Sequence, residues 1–116
     1  MIEDFGIGID IIDINRFRDI PYEKKTSFYN NIFNKNEINY CLKFKDPYPH
    51  FAGKFAVKEA VIKSINENKS LLNIVTNHTN KKPTVTIAEK NEYRFLVSIS
   101  HEKNYAIGLV IAEKLN

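Results

Sequence analysis

The chain has 116 residues, enough for one compact domain spanning residues 1–116 and too few for two. Hydrophobic residues make up 43% and charged residues 27%, near globular norms, which excludes a disordered or collagen-like chain. Seventeen basic residues against 14 acidic leave a net charge of +3, compatible with an acidic partner but too dilute to imply nucleic acid. No apolar run approaches the ~18 residues of a membrane span. The acidic start Met1-Ile2-Glu3-Asp4 lacks the layout of a secretory signal. The single cysteine, Cys41, has no internal disulfide partner, so a reducing cytoplasm is the expected location. Four glycines argue against a glycine-rich phosphate loop.

Strict alternation from Phe5 to Ile11 predicts a strand, with Phe5, Ile7, Ile9 and Ile11 on one face and Gly6, Gly8 and Asp10 on the other. Glycine weakens a strand interior unless another group approaches the backbone closely, so two glycines clear the face that Asp10 shares. A glycine-softened edge strand with a solvated aspartate is the plainer alternative. Asp13 then caps a short helix over Ile14–Arg18, ended by Pro21. Glu23–Phe33 and Asn36–Phe44 are expected as two further short helices, the second capped by Asn34 or Asn36.

The clearest helix runs from about Pro49 to Asn66. Asp46 is placed to cap it, with Pro47 and Pro49 tolerated only in the first turn. On a helical wheel Phe51, Phe55, Ile62 and Ile65 form one stripe, extended on one side by Val57 and Val61. Glu59, Lys63 and Asn66 line up on the other side, beneath Ala52 and Ala56. Strands are expected at Leu71–Thr76 and Pro83–Ala88 around the turn Asn77–Lys82, then at Phe95–Ser100 and Ala106–Ala112 around the loop His101–Tyr105. Strand, helices, strands in that order indicate an α+β fold with a mainly antiparallel sheet.

Lys58 is anomalous, because the wheel projects it into the apolar stripe. Its ammonium must snorkel to water or meet an anion. Glu59 and Lys63 are spaced i and i+4, in the order that favours a helix-surface pair. Their place beside Ala52 and Ala56 suggests instead a small-residue groove open to a ligand. Asp10 and Glu59 thus emerge on cleared surfaces of two elements. Brought together, they suit Mg²⁺, which takes one or two carboxylates plus waters and phosphates. Lys54, Lys58 and Lys63 would then neutralise a polyphosphate.

His101 follows Ser98-Ile99-Ser100, so two hydroxyls and an imidazole fall at one strand end, where they can hold a phosphate or a base. A hairpin-loop histidine bonded to backbone is the plainer alternative. Cys41 lies in an apolar helix and is expected as a buried structural thiol. His50 and His78 have no metal-ligand spacing with each other or with Cys41.

Taken together these residues resemble a known family. Gly6-Ile7-Gly8-Ile9-Asp10-Ile11-Ile12, with Ile14 and Arg16, is similar to the N-terminal signature of holo-[acyl-carrier-protein] synthases, in the 4′-phosphopantetheinyl transferase superfamily. Phe51-Ala52-Gly53-Lys54-Phe55-Ala56-Val57-Lys58-Glu59-Ala60, with Lys63, resembles the second signature. Ile32-Phe33, Glu37 and Tyr40-Cys41 resemble the intervening segment. Val97-Ser98-Ile99-Ser100-His101, with Tyr105-Ala106, resembles the closing hairpin.

The resemblance implies an enzyme that moves the phosphopantetheine arm of coenzyme A onto a serine of apo-acyl carrier protein, in fatty acid biosynthesis, releasing adenosine 3′,5′-bisphosphate. It implies Asp10 and Glu59 as Mg²⁺ ligands and Lys63 on the pyrophosphate. Lys54, Lys58, Ser100 and His101 would lie near the CoA phosphates or adenosine. Glu59 or a metal-ordered water is the candidate base for the attacking serine. Arg16, Arg18, Lys24 and Lys25 would offer a basic face to an acidic carrier protein. A homotrimer with sites between subunits is implied as well. The alternative is a non-catalytic module of the same fold that binds CoA or an acidic partner. The chain departs from the family pattern in four places. It lacks the usual glycine in the turn after the long helix. It has Lys81 where a glycine usually precedes Lys-Pro. Lys54 replaces a helix arginine, and Glu102 follows His101 where a small hydroxyl residue is common.

Overall fold

The computed structural model describes residues 2–88 and 92–115. Strand β1 (Phe5–Asp13) leads into three short helices, α1 (Asn15–Arg18), α2 (Thr26–Asn30) and α3 (Lys35–Leu42). The long helix α4 (Tyr48–Ile65) follows, then strands β2 (Ile74–Thr79), β3 (Lys82–Ile87), β4 (Tyr93–His101) and β5 (Tyr105–Lys114). All pairings are antiparallel. One sheet has the order β1-β5-β4, so the last strand is central and β1 is an edge; β2 and β3 form a separate hairpin. The α+β class expected from the sequence is the one observed.

Local chemistry explains most boundaries. Asp46 Oδ1 accepts from the Tyr48 N–H at 3.3 Å, and Pro47 and Pro49 sit at the start of α4, where their missing donors are not needed. Asn34 caps α3 in a capping box: its side chain accepts from Glu37 N–H while the Glu37 carboxylate accepts from Asn34 N–H. The helix expected over Glu23–Phe33 is broken. Lys25 leaves helical backbone (φ −140°, ψ 49°), separating a 3-10 turn at Tyr22–Lys24 from α2. The β2–β3 turn is tighter than expected, only Asn80-Lys81, and both residues take positive φ.

Helix α4 lies directly on the sheet because both sides lack bulk. A Cβ on Gly6 would fall 1.8 Å from the Ser64 carbonyl oxygen, one on Gly8 1.9 Å from that of Ala60, and one on Gly108 2.7 Å from Val57 N. Ala52, Ala56 and Ala60 are fully buried in this contact. The small-residue groove expected to admit a ligand is therefore filled by sheet backbone. The expected apolar side is buried in part: Phe51, Val57 and Val61 are fully buried together with the alanines, while Phe55, Ile62 and Ile65 are only partly buried. Across α4 from the sheet, Phe17, Tyr29, Phe33 and Phe51 make an aromatic core, with Tyr29 and Phe51 rings 4.7 Å apart. Cys41 is buried beside them, and burial pushes its thiol up to about 12, as befits an inert structural thiol.

The opposite face of the three-stranded sheet is bare. Its cross-strand rows are Ile7–Ile111–Leu96, Ile9–Leu109–Ser98 and Ile11–Ile107–Ser100. Ile7 is 68% exposed, Ile9 59% and Leu96 69%. The strict alternation of β1 therefore directs Ile7, Ile9 and Ile11 away from α4, while Ile12 is buried in the core.

Candidate active site

Asp10 and Lys63 meet where β1 crosses α4. Gly8 abuts Ala60, so the next inward residue, Asp10, comes opposite the turn of α4 before it. Lys63 Nζ donates to Asp10 Oδ1 at 3.1 Å and to the Ile9 carbonyl at 3.0 Å. Glu59 is one turn before Lys63 on the same helix face. It is half-buried and makes no hydrogen bond or ion pair among the described residues. Lys63 thus ties one carboxylate, Asp10, to the helix face that also carries Glu59.

Two other lysines do not join it. Lys58 is 0% exposed and all three of its N–H donors are used, on Glu37 Oε1 (2.8 Å), Ile32 O (2.8 Å) and Leu71 O (2.9 Å). Lys54 is 3% exposed; its Nζ donates to Thr76 Oγ1 at 3.1 Å and lies 4.6 Å from the centre of the Tyr40 ring. Burial holds both ammoniums below their ordinary pKa range, with Cys41 and Glu37 opposing that for Lys54 and Glu37 for Lys58. Each is a buried cation held by protein oxygens. Lys58 meets an anion, the second of the two alternatives open to it from the wheel.

Ser100 and His101 are parted in the same way. Successive strand residues face opposite sides, so Ser100 joins the bare outer face and His101 the helix face. His101 Nε2 donates to the Pro49 carbonyl at 3.0 Å, and its ring occupies the space above Gly53. His101 thereby borders a cleft of about 1300 Å³ between the β2–β3 hairpin, β4 and the end of α3. His78 stacks on Tyr40 at 4.5 Å and His50 on Phe44 at 3.6 Å; Lys81 and Lys82 stand at the rim. Burial lowers the pKa of His50, reinforced by His101 and His78, and of His78, reinforced by Lys54. These aromatic walls were not anticipated. No spacing rule pairs α3 with a hairpin some 40 residues later; the Asn34-x-x-Glu37 capping box was the one local clue in that segment.

The basic residues expected at a docking face cluster on α1 and the turn after it. Arg16 lies over the Phe55 ring at 5.9 Å, one helical turn before Glu59. Arg18 pairs with Asp46 at 2.8 Å, and Lys24 and Lys25 are exposed. No helix is long and apolar enough to cross a membrane among the described residues.

The chain matches the family model of the 4′-phosphopantetheinyl transferase superfamily over residues 6–110. A holo-[acyl-carrier-protein] synthase of Thermodesulfovibrio yellowstonii is 44% identical, over 96% of this chain and 98% of its own. One from Chlamydia muridarum is 39% identical over 97% of each chain. Among solved structures, the holo-(acyl-carrier-protein) synthase of Bacillus anthracis, in complex with CoA (3′,5′-ADP), superposes with a TM-score of 0.82. It is 32% identical and is matched over 95% of this chain and 96% of its own. The Helicobacter pylori synthase in complex with coenzyme A gives 0.82 at 30% identity, covering 92% and 99%. The chain belongs to this superfamily and, within it, to the holo-[acyl-carrier-protein] synthases.

Proposed function

We propose that this chain transfers the 4′-phosphopantetheine group of coenzyme A to a serine of apo-acyl carrier protein and releases adenosine 3′,5′-bisphosphate. The observation that carries the reading is the pairing of Lys63 with Asp10, one helical turn after Glu59, in a chain whose relatives bear this name. Asp10 and Glu59 would supply two hard oxygen ligands. That set fits Mg²⁺, which needs one or two carboxylates and completes its shell with water and phosphate oxygens. When bound, the ion draws charge from the pyrophosphate and orders water there.

The chain's own groups do the rest. Lys63 already holds a position between Asp10 and the Ile9 carbonyl, from which its ammonium reaches the phosphate that departs. Glu59, which makes no hydrogen bond or ion pair among the described residues, is the candidate to take the serine proton directly or through a water. The cleft walled by Tyr40, Phe44, His50 and His78 suits a purine, with His101 and the rim lysines toward its phosphates. Arg16 and Arg18, with Lys24 and Lys25, would steer an acidic carrier protein toward the site.

The bare sheet face supports a homotrimer. A contiguous apolar patch of this kind marks an interface, and a second copy of the chain is its natural cover. In such an assembly Ser100 lies toward a neighbouring copy's site instead of that of its own His101. Apo-acyl carrier protein incubated with CoA and Mg²⁺ is expected to gain the mass of phosphopantetheine. CoA binding without that gain, under any divalent metal, favours the non-catalytic module.

A further inference from the structure

The buried carboxylate of Glu37 has no part in the chemistry proposed above, yet it touches both walls of the cleft. It is 1% exposed and accepts four hydrogen bonds. Oε1 takes Asn34 N–H (2.9 Å) and Lys58 Nζ (2.8 Å); Oε2 takes Thr76 N–H (2.8 Å) and the Thr76 hydroxyl (2.5 Å). The Thr76 hydroxyl in turn accepts from Lys54 at 3.1 Å. Every acceptor site of the carboxylate is occupied, and each ammonium has an oxygen partner.

These bonds join elements that share no sheet ladder. The β2–β3 hairpin is not hydrogen-bonded to the three-stranded sheet. Two residues beyond Thr76 the hairpin begins to line the cleft, at His78; one turn beyond Glu37, α3 lines the opposite side, at Tyr40. His78 and Tyr40 are the pair that stacks across the junction. Lys54 and Lys58 bring α4 into the same network, and Lys58 adds a clasp on the Leu71 carbonyl just before β2.

We infer that Glu37 is a positioning residue: through Thr76 it fixes the hairpin against α3 and α4 and so holds the cleft at the width that accepts the nucleotide end of CoA. This inference deepens the transferase reading and rests on it. A hairpin released from the tether spends less time in the receptive position, and apparent affinity falls by that fraction while the chemical step at Asp10 and Glu59 is untouched.

The test compares wild type, Thr76→Val, Thr76→Ser and Glu37→Gln, each first checked for a folded melting transition. Valine keeps the shape of threonine but leaves Glu37 Oε2 and Lys54 short of a partner. Glutamine presents an N–H to the Thr76 N–H. Thr76→Val is expected to raise KM for CoA, and the calorimetric Kd for adenosine 3′,5′-bisphosphate, by about tenfold, with kcat within about twofold of wild type. Thr76→Ser is expected to restore both constants, and Glu37→Gln to speed exchange of the Thr76 amide. A folded Thr76→Val protein with unchanged KM and Kd overturns the inference alone. A wild-type chain that binds neither CoA nor the bisphosphate overturns the transferase reading together with it. A fall in kcat at constant KM assigns the network to overall stability and also overturns it.

Discussion

Lys63 Nζ sits 3.1 Å from Asp10 Oδ1 and 3.0 Å from the Ile9 carbonyl, so the last turns of α4 are tied to β1 by the residue proposed to meet the pyrophosphate. The Lys63 side chain is half-exposed, and an exposed pair of this kind contributes about 0–1 kcal/mol. Lys63→Met is therefore expected to leave the melting temperature nearly unchanged while lowering kcat on the order of 10²-fold. Thermal denaturation and single-turnover transfer assays on the same preparation check both halves.

Lys58, five residues earlier, should behave in the opposite way. Its pair with Glu37 is fully buried, and removing one partner leaves the other charge stranded at a cost of about 3–5 kcal/mol. Lys58→Met is expected to unfold at markedly lower urea, whereas Lys63→Met is not. Equal midpoints for the two variants would contradict the assignment of Lys58 as a structural cation.

Asp10→Asn and Glu59→Gln are expected to lower transfer by about 10²–10³-fold with the fold intact, because each keeps the shape and loses the anionic oxygen. Circular dichroism and mass measurement of the carrier protein separate folding from turnover. Wild-type rates in either variant would remove that residue from the metal's coordination shell.

Acid sensitivity should arise at the cleft. His50 and His78 have pKa values lowered by burial, so below the ordinary imidazole value of about 6.5 the unfolded chain takes up protons that the folded one refuses. Stability contributed by their neutral forms is complete above that value and declines as pH falls toward the lowered folded ones. His78 Nδ1 is also buried, with no hydrogen-bond partner among the described residues. His78→Phe keeps a ring on Tyr40 and is expected to flatten the fall in melting temperature between about pH 6.5 and 5. An unchanged slope would locate the sensitivity elsewhere.

The bare sheet face predicts assembly. Ile9→Glu places a charge in the middle of its rows and is expected to shift sedimentation from three times the 13.5 kDa chain mass to one. A wild-type chain that sediments as a monomer would leave the isoleucines of β1 without their proposed cover.

Two departures from the family pattern have physical answers in the backbone. Asn66 takes φ 55° as the left-handed cap of α4, a conformation that asparagine tolerates best after glycine. Lys81 takes φ 67° in the hairpin turn, where a Cβ is unfavourable. Lys81→Gly is expected to stabilise the chain by about 0.5–1 kcal/mol, read from urea unfolding.

Much of this was legible along the chain, because the relevant forces act within a few residues. Alternation defined β1, a proline-tolerant start and i, i+4 spacing defined α4, and helix geometry put Glu59 and Lys63 on one face, although Lys63 bonds to Asp10 and not to Glu59. Asp10, Glu59 and Lys63 could be named by residue type and motif. What no local pattern could express was which face of each element would be covered. Glycines in β1 and β5 let α4 settle onto the strand backbone. That contact turned the isoleucine face outward, closed the alanine groove and carried Lys54 and Lys58 into the interior. Burial is a property of the assembled surfaces, set by how closely two backbones can approach. The fates of three lysines on one helix therefore diverged only once the sheet had packed against it.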